Sequence, residues 1–175
     1  DDGSDQHDFA GYHSFLHGAR PMSVEAGSAK EQLDALVDQV RAWIDGGVEE
    51  DEIAVTARAS SSFDAVERAL RDGGMASCRL GQELPTGIGV RVGTMHRMKG
   101  LEFRCVAIID CDDDNMPAHW YVTSAAADPV QHEVDVVRER CLLYVACTRA
   151  REALWLGWSG KRSRFVPAVD IERMT

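Results

Sequence analysis

Leu33, Leu36, Val37, Val40, Trp43 and Ile44 recur at spacings of three, four and seven residues, the signature of an amphipathic helix. The helix is expected to begin at Ser28 and to stop at Gly46-Gly47, since glycine leaves the helical backbone at little steric cost. "IAVTAR", residues 53–58, reads as a strand. Ser61 or Ser62 can cap a second helix, with Phe63, Val66 and Leu70 along one face and an end at Gly73-Gly74. "GVRVGTM" (89–95) is a second strand and "RCVAIIDC" (104–111) a third. The apolar run Val106 to Ile109 suits a strand covered on both faces, as in a parallel sheet. After a polar loop, Asp128-Pro129 supplies an N-cap side chain and a first-turn proline. The helix that follows carries Val134, Val137, Cys141, Tyr144, Val145 and Thr148 at helical spacing, and "ALWLGW" (153–158) is a last strand. Residues 1–27 are polar and read as a linker or partly ordered segment, in which Tyr12, Phe15 and Leu16 can dock; the domain is expected over 28–175.

The order strand, helix, strand, strand, helix, strand predicts an α/β fold around a mostly parallel sheet flanked by helices. Ligands in such sheets sit beyond the carboxyl ends of strands. The polar turn Thr94 to Glu102, within "VGTMHRMKGLEF", is expected at such an end, as is Arg58. Arg149 and Arg151 fall where the long helix is expected to finish. Cations favour helix C-termini through the macrodipole, so a purely structural role competes with a functional one for both. For His96 and Lys99 a solvated turn competes with a binding site.

Composition narrows the function classes. With 45% hydrophobic and 27% charged residues the 175-residue chain has the balance of a soluble globular domain. No apolar run approaches the roughly 20 residues that cross a bilayer. The acidic start lacks the apolar core of a signal peptide, so a cytoplasmic location without a membrane partner is expected. Cys78, Cys105, Cys111, Cys141 and Cys147 show no C-x-x-C spacing and read as buried thiols, with no metal site. The net charge of −10 argues against a protein that coats nucleic acid indiscriminately. It is uneven: residues 1–60 carry 13 acidic and 4 basic side chains, whereas 138–164 carry seven Arg or Lys against Glu139 and Glu152. There is no G-x-x-x-x-G-K-[ST] loop and no strand-end acidic pair in that context, hence no phosphate cradle or magnesium site of its own. Asp112, Asp113 and Asp114 read as a solvated loop, and "GQELPTGIG" as a connection.

"TMHRMKGLEF" resembles the T-x-H-x-x-K-G-L-E-F motif of UvrD/Rep-type superfamily 1 DNA helicases. "RERCLLYVACTRAREAL" (138–154) resembles the family's E-R-x-L-x-Y-V-x-x-T-R-A motif, and "IAVTARAS" stands where the family has a strand ending in Tyr-Arg-Thr-Asn. The resemblance covers about residues 29–166. It implies the second RecA-like motor domain, a P-loop NTPase-type fold without its own P-loop, from an ATP-dependent enzyme whose first motor domain lies elsewhere. Arg149 matches the arginine finger that reaches the γ-phosphate, and Glu102 the carboxylate on the nucleotide ribose. Gly100 matches a position of close backbone approach. Thr94, His96 and Lys99 match positions that link the cleft to single-stranded DNA; Arg58 and Ser60 belong to the same group. Glu139 and Tyr144 match positions of structural support.

The family's Tyr and Asn at the first strand are Ala57 and Ser60 here, and only about 16 residues (74–89) stand where many relatives insert an accessory domain. The implied cofactors are ATP and Mg2+, the metal held by the first motor domain and neither held by this chain alone. The implied partners are single-stranded DNA and that first motor domain, in DNA repair or a related process. Two other readings use the same fold: a non-catalytic nucleic-acid-binding or protein-docking module, and a nucleotide-sensing domain.

Overall fold

The computed structural model describes residues 20–81, 89–167 and 171–173. The expectation for Tyr12, Phe15 and Leu16 lies outside these residues, as does most of the 81–89 connection. Seven strands form one sheet: β1 (Met22–Ala26), β2 (Ile53–Ala57), β3 (Ser77–Arg79), β4 (Val90–Thr94), β5 (Phe103–Ile108), β6 (Ala150–Ser159) and β7 (Ile171–Arg173). Their order is β3-β4-β2-β5-β6-β1-β7, and every strand pairing is parallel. Three helices cover it: α1 (Ala29–Asp45), α2 (Phe63–Asp72) and α3 (Pro129–Cys147).

The central strands β2 and β5 are apolar except at Thr56 and Arg104, because both faces are covered. Ile53, Val55 and Ala57 of β2 join Leu36 and Val40 of α1 and Phe63, Val66 and Leu70 of α2 in one core. Ala54 turns the other way, into a second core with Val106 and Ile108 of β5 and Leu143 and Ala146 of α3. α1 and α2 therefore lie on one face of the sheet and α3 on the other.

Local chemistry explains the helix ends. Ser28 caps α1 by accepting a hydrogen bond from the Glu31 amide, and the Glu31 carboxylate accepts one from the Gly27 amide. Asp128 caps α3 through the Gln131 amide, with Pro129 in the first turn. Ser62 occupies the N-cap of α2 but makes no side-chain cap bond; its hydroxyl donates to Asp110 instead.

Three expectations need correction. The stretch assigned to the linker contains β1, which pairs with both β6 and β7. Ser23 and Glu25 alternate with Val24 in a five-residue strand, too short and too polar to stand out. β3 and β7 have three residues each and were equally hidden. Arg151 is on β6, since α3 ends at Cys147. The row of α3 that recurs at helical spacing faces outward: Val134 is 40%, Val137 54% and Tyr144 69% exposed, while Asp135, Glu139, Leu143 and Ala146 are buried.

Candidate functional site

Strand register decides where each candidate lies. Ala57 is paired with Thr94, so β2 and β4 end together at the carboxyl edge of the sheet. Phe103 is paired with Ala150, so β5 and β6 start together at the amino edge. The segment from Thr94 to Phe103 therefore crosses from one edge to the other, a strand length of about 17 Å for five residues. A short 3-10 helix, Met95–Met98, makes most of the passage, with Met95 and Met98 buried under α3 and His96 exposed. The whole turn was expected at the carboxyl edge; its second half, Gly100 to Glu102, instead lies at the amino edge.

At the amino edge three candidates meet. Gly100 has φ +82° and open space where a side chain would project, so the turn itself calls for glycine. Glu102 is exposed and makes no hydrogen bond or ion pair among the described residues. Arg149 follows the last turn of α3. Its Nε donates to the Val145 carbonyl (3.1 Å), Nη2 to Thr148 Oγ1 (3.1 Å) and Nη1 to the Leu101 carbonyl (3.4 Å). The Phe103 amide donates to the Arg149 carbonyl (2.9 Å), which fixes the backbone of the two segments together. The guanidinium is thus satisfied by neutral acceptors, two at its own helix end, as expected for a helix C-terminal cation, and one from the neighbouring Leu101.

At the carboxyl edge the candidates divide. Ser60 and Thr94 line a hollow with Phe63, Arg79 and Arg97. Arg58, His96 and Lys99 line a different cavity of about 540 Å³ between the 3-10 helix, α3 and the loop after β5, together with Tyr121 and Arg138. His96 and Lys99 are exposed in it. Arg58 is not an open cation: it is 6% exposed. Its Nε and Nη2 donate to the two carboxylate oxygens of Glu139, at 2.7 and 2.8 Å. The Tyr121 ring covers its guanidinium at 4.6 Å. Direct DNA contact, one of the roles given to Arg58, has no exposed group to make it.

Glu139 also accepts from the Ala118 amide, at 3.0 Å. Burial pushes its carboxyl up, but the Arg58 guanidinium, the Ala118 amide and His96 outweigh that and hold it below the usual range. The pair joins the end of β2, the loop after β5 and the middle of α3 around the cavity.

Tyr121 and Arg138 were not singled out from the sequence. The signal for Tyr121 was the aromatic pair Trp120-Tyr121 in the loop after β5, and that for Arg138 was its place at the start of the second motif. The acidic run in that loop is not uniformly solvated. Asp112 is buried and accepts from the Asp114 and Asn115 amides, Asp113 pairs with Lys161, and Asp114 is exposed. The cysteines also differ from expectation: Cys78, Cys105 and Cys111 are buried, Cys147 is half-buried and Cys141 is exposed.

Residues 79–161 match the family described as UvrD-like helicase C-terminal domain. A putative ATP-dependent DNA helicase of Bacillus subtilis, YjcD, is 38% identical over 85 residues, covering 45% of this chain and 11% of that protein. The ATP-dependent DNA helicase UvrD2 of Mycobacterium tuberculosis is 36% identical over 80 residues, again 45% of this chain and 11% of the relative. The matched stretch thus spans about a tenth of these relatives' length. Among solved structures, the C-terminal domain of a possible DNA helicase from Lactobacillus plantarum superposes with a TM-score of 0.66 at 23% identity, covering 89% of this chain and 86% of that one. The C-terminal domain of the DEAD-box protein Dbp5 superposes with a TM-score of 0.54 at 10% identity. The fold is RecA-like.

Proposed function

From the match of residues 79–161 to the UvrD-like helicase C-terminal domain, we propose that the chain is the second motor domain of an ATP-dependent DNA helicase or translocase, and that it completes the ATP site of a first motor domain. The observation that carries this reading is the crossing segment 94–103. It offers exposed His96 and Lys99 at a cavity on one side and Gly100 to Glu102 beside Arg149 at the opposite sheet edge. One short element thus touches both surfaces that a motor must couple, nucleotide and nucleic acid.

Each residue has a role that its chemistry suits. Glu102, without a competing partner, accepts hydrogen bonds from ribose hydroxyls. Arg149 turns from its three neutral acceptors to the γ-phosphate when the first domain docks. Each bond it leaves contributes about 0.5–1.5 kcal/mol, and charge-assisted bonds to phosphate are stronger. Its planar, permanently charged fork stabilises charge on the transferring phosphoryl group. ATP and Mg2+ would be held chiefly by the first domain, because this chain has no phosphate loop and its described residues contain no His, Cys, Asp and Glu cluster suited to a metal. Lys99 supplies a cation to a DNA phosphate. Arg58 acts through Glu139, bracing the cavity instead of touching DNA. Thr94 and Ser60 border the neighbouring hollow.

The DNA half of this proposal is tested by salt dependence. Lys99→Ala in the parent protein is expected to weaken single-strand binding and to flatten the plot of log affinity against log salt by about 0.7, the contribution of one neutralised phosphate on a single strand. An unchanged slope would remove Lys99 from the DNA surface.

A further inference from the structure

The outward stripe of α3 has a regular spacing. Val130, Val134, Val137, Cys141 and Tyr144 are all exposed, and their intervals are four, three, four and three residues. That is the a/d seam of a coiled coil carried through two heptads. Asp135, Glu139, Leu143 and Ala146, which face the domain, lie on the opposite side of the helix. The helix is anchored on its own core and still presents a second complete packing surface. Apolar groups at coiled-coil spacing on an already folded helix are suited to another helix, because knobs from a partner fit the holes that such a row creates.

The charges beside the seam identify the partner as a copy of the same helix. Glu133 and Arg140 flank the row on one side, seven residues apart and both exposed. Glu133 has no ion pair or hydrogen bond among the described residues; Arg140 lies over the Phe165 ring at 5.5 Å. We propose that α3 pairs antiparallel with α3 of a second copy, with Val134 opposite Val137 and Val130 opposite Cys141 of that copy. In this register Glu133 of each copy faces Arg140 of the other, twice by symmetry, as flanking charges do when they fix orientation in coiled coils.

A parallel pair uses the charges less well. It sets Glu133 against Arg138, whose guanidinium already pairs with Asp135, and leaves Arg140 opposite Val145. The antiparallel register also leaves Tyr144 and Arg149 beyond the paired region, so pairing does not occlude the amino-edge site. With three valines and one cysteine from each copy in the paired region the contact is small, and the dimer is expected to dissociate on dilution.

Sedimentation equilibrium of the 175-residue chain under reducing conditions tests this. A monomer–dimer equilibrium is expected, abolished by Val134→Glu with the circular dichroism spectrum unchanged. Glu133→Arg and Arg140→Glu should each weaken the dimer, and the double exchange should restore it, an outcome that a merely destabilised fold would not give. Orientation is read by oxidation and mass spectrometry: Val130→Cys should form an intermolecular disulfide with Cys141. A monomer at every soluble concentration overturns the proposal, as does a wild-type disulfide between two Cys141 residues, which reports parallel pairing. A monomer whose α3 stripe becomes protected from hydrogen exchange only when a first motor domain is added also overturns it, and assigns the stripe to that domain.

Discussion

Arg149→Ala in the parent protein is expected to lower DNA-stimulated ATP turnover by roughly 10³–10⁵-fold, the range over which arginine fingers act. Folding should change little. The side chain is half-buried and bonded only to neutral acceptors, at the end of α3 and at Leu101, and a helix C-terminal cation contributes about 0.3–1 kcal/mol. The two roles therefore predict opposite signatures. A finger loses turnover and keeps its melting temperature; a cap loses stability and keeps its turnover. Arg149→Lys should rescue little, because an ammonium cannot present the guanidinium fork. Arg151→Ala is the control. Arg151 lies on β6, exposed, with a 3.6 Å ion pair to Glu52, and such surface pairs contribute about 0–1 kcal/mol. Comparable losses of turnover from both substitutions would return Arg149 to the structural role.

Glu139→Ala is expected to give the largest loss of stability, about 3–5 kcal/mol, because it leaves a buried guanidinium without its counter-charge. For a domain of this size that corresponds to a fall in Tm of roughly 6–20 °C. Both Arg58 and Glu139 are buried, and the Ala118 amide loses its acceptor in the same step. The surface network of Arg79 with Glu67 and Asp64 is the comparison, where Glu67→Ala should cost about 0–1 kcal/mol. The pH dependence carries a sign. Glu139 is held below its ordinary value, so its contribution is complete above the unfolded pKa of about 4.3 and is lost as pH falls through the lower folded value. The wild type should thus lose stability in acid more steeply than Glu139→Gln. Equal melting of Glu139→Ala and Glu67→Ala at neutral pH would contradict the buried pair.

Much of this was legible in the sequence, and the failures have physical causes. β2 and β5 could be read because a strand covered on both faces is apolar at nearly every position. α1 and α2 could be read because each rests one face on the sheet. Periodicity gave α3 no facing: its conspicuous Val, Cys and Tyr row points outward, while the face against the domain carries Asp135 and Glu139, whose partners come from other segments. Glu139 needs Arg58, 81 residues earlier, and no local pattern reports that pairing. The same limit placed all of 94–102 at one sheet edge. Only register shows that β4 ends where β2 ends and that β5 starts where β6 starts. Arg149 lies beside Gly100 to Glu102 through contacts such as that with the Leu101 carbonyl, which periodicity cannot supply.

The central claim is that this chain completes a nucleotide site it cannot form alone. The most direct measurement is steady-state ATP hydrolysis, with and without single-stranded DNA, by three proteins: the 175-residue chain, the parent's first motor domain, and the parent in which the two are joined. DNA-stimulated hydrolysis that appears only in the joined protein is the expected result. Robust turnover by the 175-residue chain, or equal DNA-stimulated turnover by the first motor domain without it, would contradict the assignment.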